Sequence, residues 1–179
     1  MFPQTPSLFV TSKKGEFEGS PLERVHAEHG EAKCGRQPFS RSEHNDDPMR
    51  IVAGSLRGRA LAAPKDERTR PTSDRVRESV FNILAHGAAA VAMDGARVID
   101  LFAGTGALGL EAMSRGAAFA LFVEDDAVAR AIIRTNIEAF GLTGQTKIFR
   151  RDATDLGVAA QMGQYDLAFL DPPYDQGLA

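Results

Sequence analysis

The chain has 179 residues, 43% of them apolar, a formal net charge of −3 and one cysteine, Cys34. This suits one soluble domain with a real core and excludes a membrane-spanning helix, since no run approaches the roughly 20 apolar residues required. A lone cysteine closes no internal disulfide and builds no paired-cysteine metal site, and MFPQTPSLFVTSKKGEFEG lacks the apolar segment of a secretory signal, so a cytoplasmic protein without bound metal is expected.

Charge is uneven along the chain. Residues 1–48 carry 6 basic and 8 acidic side chains, 49–90 carry 8 and 4, and 91–179 carry 7 and 12, giving local values of −2, +4 and −5. A basic middle segment on an acidic body suits local phosphate binding, because the field at the patch matters more than the total. An ordinary solvated charged face has the same composition.

Residues 1–48 are rich in Gly, Pro, Ser, Glu and His and show no sustained period, so they are expected to be disordered. Met49 directly precedes the first patterned stretch and is expected to be the native start, the leader then being an over-extended reading frame. Arg50 to Ala53 and Arg59 to Ala63 read as two short strands, with Gly54 and Gly58 flanking a turn, which makes a basic hairpin. Pro71, Thr72, Ser73 and Asp74 form a helix start. Val76, Val80, Ile83 and Leu84 then recur at helical spacing up to Gly87.

An alternation follows: strand Arg97 to Phe102, helix Leu108 to Ser114, strand Phe119 to Glu124, helix Ala127 to Phe140, strand Thr146 to Arg150 and strand Tyr165 to Leu170. Strands alternating with helices predict an α/β domain with a parallel, doubly wound sheet, Rossmann-like, over 49–179.

After the first of these strands comes Asp100-Leu-Phe-Ala-Gly104-Thr-Gly106-Ala-Leu-Gly109, leading into a helix. Such glycines allow a tight turn and a close backbone approach to a ligand at the carboxyl end of the sheet. Gly104, Gly106 and Gly109 also fit the dinucleotide fingerprint, which keeps a nicotinamide or flavin oxidoreductase in play. Asp100 favours another ligand: a carboxylate at the loop mouth repels a pyrophosphate but attracts the ammonium and sulfonium of S-adenosylmethionine. Glu124 ends the second strand, 20 positions after Gly104, where a carboxylate can accept hydrogen bonds from ribose hydroxyls. Asp152, after the third, is placed to accept from an adenine amino group. Each acid alone is as readily a turn or cap residue. Three at successive strand ends are harder to read that way.

The strand YDLAFL runs into Asp171-Pro172-Pro173-Tyr174. An exocyclic base amine is a poor nucleophile, because its lone pair is delocalised into the ring. Hydrogen bonds to the Asp171 carboxylate and the Pro172 carbonyl favour a pyramidal nitrogen aimed at a methyl group. Two prolines stiffen the loop, and Tyr174 can stack on the base. The motif serves guanine or adenine, so a DNA adenine-N6 methyltransferase is the nearest rival. A truncated RNA-binding remnant is the rival outside catalysis.

Together RIVAGSLRGR, TRPTSDRVRESVFNIL, DLFAGTGALGLEAMSRGA and FLDPPY resemble the bacterial 16S ribosomal RNA guanine-N2 methyltransferases, the RsmD family, from Met49 to Tyr174. The resemblance implies that Asp100, Phe102, Gly104, Gly106, Gly109, Glu124 and Asp152 bind S-adenosylmethionine and that Asp171 to Tyr174 hold the guanine. It implies that Arg50, Arg57, Arg59, Arg70, Arg75 and Arg77 meet 16S ribosomal RNA, free or in an assembling small subunit, and that the protein is a monomer. It also implies a seven-stranded sheet, of which four strands are counted here. The chain is therefore expected to be a fragment, with one edge of its last strand open.

Overall fold

The computed structural model describes residues 9–12, 49–64, 74–87, 90–157 and 163–172, the first four through their backbone alone. Residues 1–14 and 48–179 form one unit; the other, 15–47, lies outside the described residues. In chain order the elements are β1 (Phe9–Ser12), α1 (Asp74–His86), β2 (Arg97–Asp100), α2 (Ala107–Ser114), β3 (Phe119–Val123), α3 (Ala127–Phe140), β4 (Thr146–Phe149) and β5 (Leu167–Leu170). A single 3-10 turn, Thr143–Gln145, joins α3 to β4.

The sheet order is β1-β5-β2-β3-β4. The four strands from β2 onward are parallel, with Asp100 opposite Phe122 of β3 on one side and Phe169 of β5 on the other. The chain therefore winds outward through β3 and β4, then returns to the far side of β2. This reversal makes β2 and β5 the topological switch point, where open α/β sheets hold their ligands beyond the carboxyl ends of the strands.

Alternation along each strand feeds two apolar layers. Val98, Ala120, Phe122, Leu167 and Phe169 join the larger cluster with Phe81, Leu84, Leu110 and Ile133 from the helices. Ile99, Leu121 and Val123 form the smaller one, joined by Phe149, Leu156 and Ala168. Strands apolar on both faces are what a doubly wound parallel sheet requires. The rings of Phe81 and Phe169, 5.6 Å apart and tilted, tie α1 to β5.

α3 has the expected limits because its ends are chemically marked. Asp126 caps it by accepting from the Ala129 N–H at 2.7 Å, and Gly141 ends it in the left-handed conformation at φ 72°.

Two expectations need correction. The hairpin at Arg50 to Ala63 is one bridge, Arg50 to Ala60, rather than two strands. Its remaining cross-links are Ile51 N–H to the Arg59 carbonyl (3.0 Å), Gly58 N–H to the Ile51 carbonyl (2.8 Å) and Leu61 N–H to the Met49 carbonyl (2.7 Å). The ladder stops there because the next donors, Val52 N–H and Ala53 N–H, turn to the Glu111 carboxylate at 2.8 and 2.9 Å.

The second correction concerns the free edge of β5. Four residues of the leader form β1, which pairs antiparallel with β5 from Phe9 opposite Leu170 to Ser12 opposite Leu167. The β5 edge expected to lie open is thus filled by this chain itself. Phe, Val and Thr suit such an edge.

Candidate active site

Asp100 is the last residue of β2 and is buried, 1% exposed. Its Oδ2 accepts from the Gly109 N–H at 3.1 Å, while Oδ1 has no hydrogen-bond partner among the described residues. Burial raises its pKa to about 7, partly opposed by the Gly109 hydrogen bond, and the carboxylates of Asp171 and Glu124 push it the same way as burial. Three acids from the ends of β2, β3 and β5 therefore share one electrostatic environment at the switch point. An unpartnered buried carboxylate oxygen is able to accept from a donor, or pair with a cation, that a ligand brings.

Between β2 and α2 the chain turns through Gly104 at φ 53° and Gly106 at φ 79°, a region side-chain-bearing residues rarely occupy. A Cβ on Gly104 would meet nothing within 4 Å, so the space beside that backbone is open. Gly109 has a different reason: a Cβ there would fall 2.3 Å from the Phe122 ring, so a bare backbone lets α2 lie against β3. Phe102, within the loop, is half-buried.

Glu124 follows β3 and ties its end to the glycine loop. Its Oε2 accepts from the Gly104 N–H at 2.7 Å and its Oε1 from the Asp126 N–H at 2.9 Å. Partial burial raises its pKa, against the lowering effect of these two backbone donors. Each oxygen keeps a second lone pair for a ligand. Asp152, by contrast, is exposed after β4, and its Oδ1 accepts from the N–H and hydroxyl of Thr154 at 2.8 and 2.6 Å, which lowers its pKa. It is a turn-forming acid in this arrangement.

Asp171 directly follows β5 and is partly buried; Pro172 is buried. Pro173 and Tyr174 lie outside the described residues, as does Arg70. In the basic segment Arg50, Arg57, Arg59 and Arg75 are exposed. Arg59 also donates to the Ala139 carbonyl and stacks 4.7 Å above the Phe140 ring, which fixes it on the end of α3.

Arg77 departs from the expectation that it meets RNA. Its side chain is 0% exposed, pairs with Asp74 and donates to the Arg50 carbonyl at 2.6 Å. It clasps α1 to the basic segment and is withdrawn from phosphates. Reasoning from sequence also passed over Glu111 and Asn136, both buried and both bonded to residues 52–62. A signal for Glu111 existed: it is the one charge in Ala107–Ser114, a helix otherwise so apolar that burial on all sides follows.

The family described as conserved hypothetical protein 95 matches residues 49–179. The chain belongs to this family. It is the RsmD family that the sequence motifs resemble. One similar relative is the protein of Bacillus subtilis named putative rRNA methyltransferase YlbH, 40% identical over 72% of this chain and 68% of that protein. Another is ribosomal RNA small subunit methyltransferase D of Escherichia coli, 42% identical over 73% of this chain and 62% of that protein. A solved structure, described as putative methyltransferase yhhF from Escherichia coli, matches with a TM-score of 0.60 at 37% identity, over 73% of this chain and 66% of that one. The chain thus spans roughly two thirds of the length of these relatives, and within that span the fold is that of a Rossmann-like methyltransferase.

Proposed function

We propose that this protein transfers a methyl group from S-adenosylmethionine to the exocyclic N2 of a guanine in 16S ribosomal RNA, in the cytoplasm and as a monomer, through the domain that contains residues 49–179. The observation that carries this reading is the buried Asp100 carboxyl, one oxygen of which has no partner among the described residues, set beside Asp171 at the switch point. The residues present fit the donor. Asp100 would hold its ammonium end, Glu124 its ribose hydroxyls, and the open backbone at Gly104 would lie against it. Asp152 remains available for the adenine through its second oxygen. When bound, the donor supplies an electrophilic methyl group on a sulfonium.

The chain's own residues prepare the nucleophile. The Asp171 carboxylate and the Pro172 carbonyl accept from the guanine amine, which draws its nitrogen toward a tetrahedral shape and frees the lone pair from the ring. The attacked nitrogen then loses a proton, for which Asp171 is the adjacent acceptor. The relatives' names support ribosomal RNA over DNA as substrate, and the exposed arginines suit its phosphates.

Calorimetry with S-adenosylhomocysteine tests the donor site, because that ligand keeps the ammonium. A cation favours ionised Asp100, whose carboxyl is raised to about 7 in the free protein. Binding below that pH must release a proton. Affinity is therefore expected to rise by up to about tenfold per pH unit from pH 5.5 to 7 and then level off. Asp100→Asn should abolish this slope, and a pH-independent native constant would refute the assignment. The same shift means that Asp100 favours the folded state most at low pH, and that this contribution is lost as pH rises from about 4 to about 7.

For the RNA side, replacing Arg50, Arg57, Arg59 or Arg75 with alanine is expected to weaken binding similarly across RNA sequences. Each should also flatten the dependence of log affinity on log salt by roughly 0.7 to 0.9. Arg77→Ala should leave the salt dependence alone and lower the melting temperature, since its guanidinium bonds only within the protein as far as the described contacts go.

A further inference from the structure

The buried polar residues among those described are Arg77, Asp100, Glu111, Ser114 and Asn136. Apart from Asp100, every one is bonded to the backbone of residues 50–62. Arg77 donates to the Arg50 carbonyl, Glu111 accepts from the N–H groups of Val52 and Ala53, and the Ser114 hydroxyl donates to Ala53 and accepts from Leu56 N–H. Asn136, on α3, is different because it reaches two segments. Its Oδ1 accepts from Ala62 N–H at 2.8 Å, and its Nδ2 donates to the carbonyls of Ala62 and Thr105, each at 3.2 Å.

Thr105 lies between Gly104 and Gly106, both in the left-handed region. Glycine on either side leaves this peptide unusually free to rotate, so its orientation must be imposed by its contacts. Glu124 fixes one side through the Gly104 N–H, and Asn136 fixes the other through the Thr105 carbonyl. The amide spends both its N–H donors and one acceptor on this bridge, in a site 1% exposed where water is a poor substitute.

We infer that Asn136 is a positioning residue for donor binding, holding the Gly104–Gly106 loop in its binding shape and locking it to the segment that carries Arg57 and Arg59. This rests on the donor site proposed above and adds to it a residue from the middle of a helix, away from the strand-end acids.

The test uses the full chain, S-adenosylhomocysteine and two variants. Asn136→Asp keeps the shape and the acceptor for Ala62 N–H but loses both donors, facing two carbonyls with a carboxylate. Asn136→Ala removes all three bonds. In the folded fraction of each, affinity by calorimetry is expected to fall tenfold or more, a change of about 1.4 kcal/mol. The Michaelis constant for the donor should rise in parallel while kcat at saturating donor holds. A merely structural role would instead lower kcat through loss of active protein and leave the constant of the folded fraction unchanged, which would overturn the inference.

A measurement on the native chain guards against variants that fail to fold. Saturating S-adenosylhomocysteine should slow amide hydrogen exchange at Ala62 as well as in the loop. Slowing confined to the loop would count against the bridge. If the native chain does not bind S-adenosylhomocysteine at all, the donor site falls and this inference with it; native binding with unaffected variants removes the inference alone.

Discussion

Asp171→Ala is expected to cut methyl transfer by about 10²- to 10³-fold, the usual cost of losing one preorganised polar contact to a developing charge, while S-adenosylhomocysteine binds nearly as before. The reason for the split lies in the geometry. Asp171 follows β5, whereas the glycine loop and Glu124 extend β2 and β3, so its removal leaves the bonds of Gly104 and Gly109 intact. Asp171 is moreover one of two acids that help raise the Asp100 pKa, and its loss eases ionisation of Asp100. Asn at 171 should retain part of the rate, because an amide oxygen still accepts from the amine. Labelled methyl transfer to undermethylated small subunits, run beside calorimetry, measures both quantities. A donor constant that worsened as much as the rate would contradict the orienting role.

Glu111→Ala is expected to be the most damaging substitution to the fold, by about 3 to 5 kcal/mol, as found when one partner of a buried charge pair is removed. Glu111 is 0% exposed, accepts from Val52 and Ala53 N–H, and pairs with Arg115 at 2.8 Å. Alanine strands two backbone donors and a half-buried guanidinium together. For a chain of this size the melting temperature should drop by roughly 10 °C. Glu111→Gln, which keeps one acceptor, should fall between. A drop no larger than that of an exposed acid such as Glu138→Ala, followed by circular dichroism, would show that the segment 50–62 is held by other means.

The sheet and its helices were legible because each local signal agreed with the global pattern. The helix read at Ala127 to Phe140 is α3 to the residue, and the alternation of strands with helices placed β2, β3 and β5. Strand ends ran two residues long at β2, since Leu101 and Phe102 look like strand but already turn into the glycine loop. Of the three acids read as a set, Asp100 and Glu124 lie at one site, where the Glu124 and Asp171 carboxylates both act on Asp100. Asp152 bonds locally to Thr154, which is the reading its position allowed all along.

What could not be read from sequence depends on partners far away along the chain. Arg77 shares the buried face of α1 with Phe81 and Leu84, as Arg75 does not, but its bond to the Arg50 carbonyl, 27 positions away, has no local signal. Asn136 is bonded to residues 74 and 31 positions distant. The four residues of β1 are too few to stand out against the leader, and their order comes from pairing with β5.

That pairing also sets a sequence of events during translation. β1 is made before β5, and its partner emerges more than 150 residues later, a wait of roughly 10 to 30 s at common elongation rates. Over that interval β2, β3 and β4 can zip together, leaving β2 exposed on the flank that β5 will occupy. A chain that folds as it emerges would pass through a half-sheet in which Asp100 is present but Asp171 has not arrived, and in which an early strand must avoid sticking to the wrong flank. Closing a loop of that length last makes the final step slow.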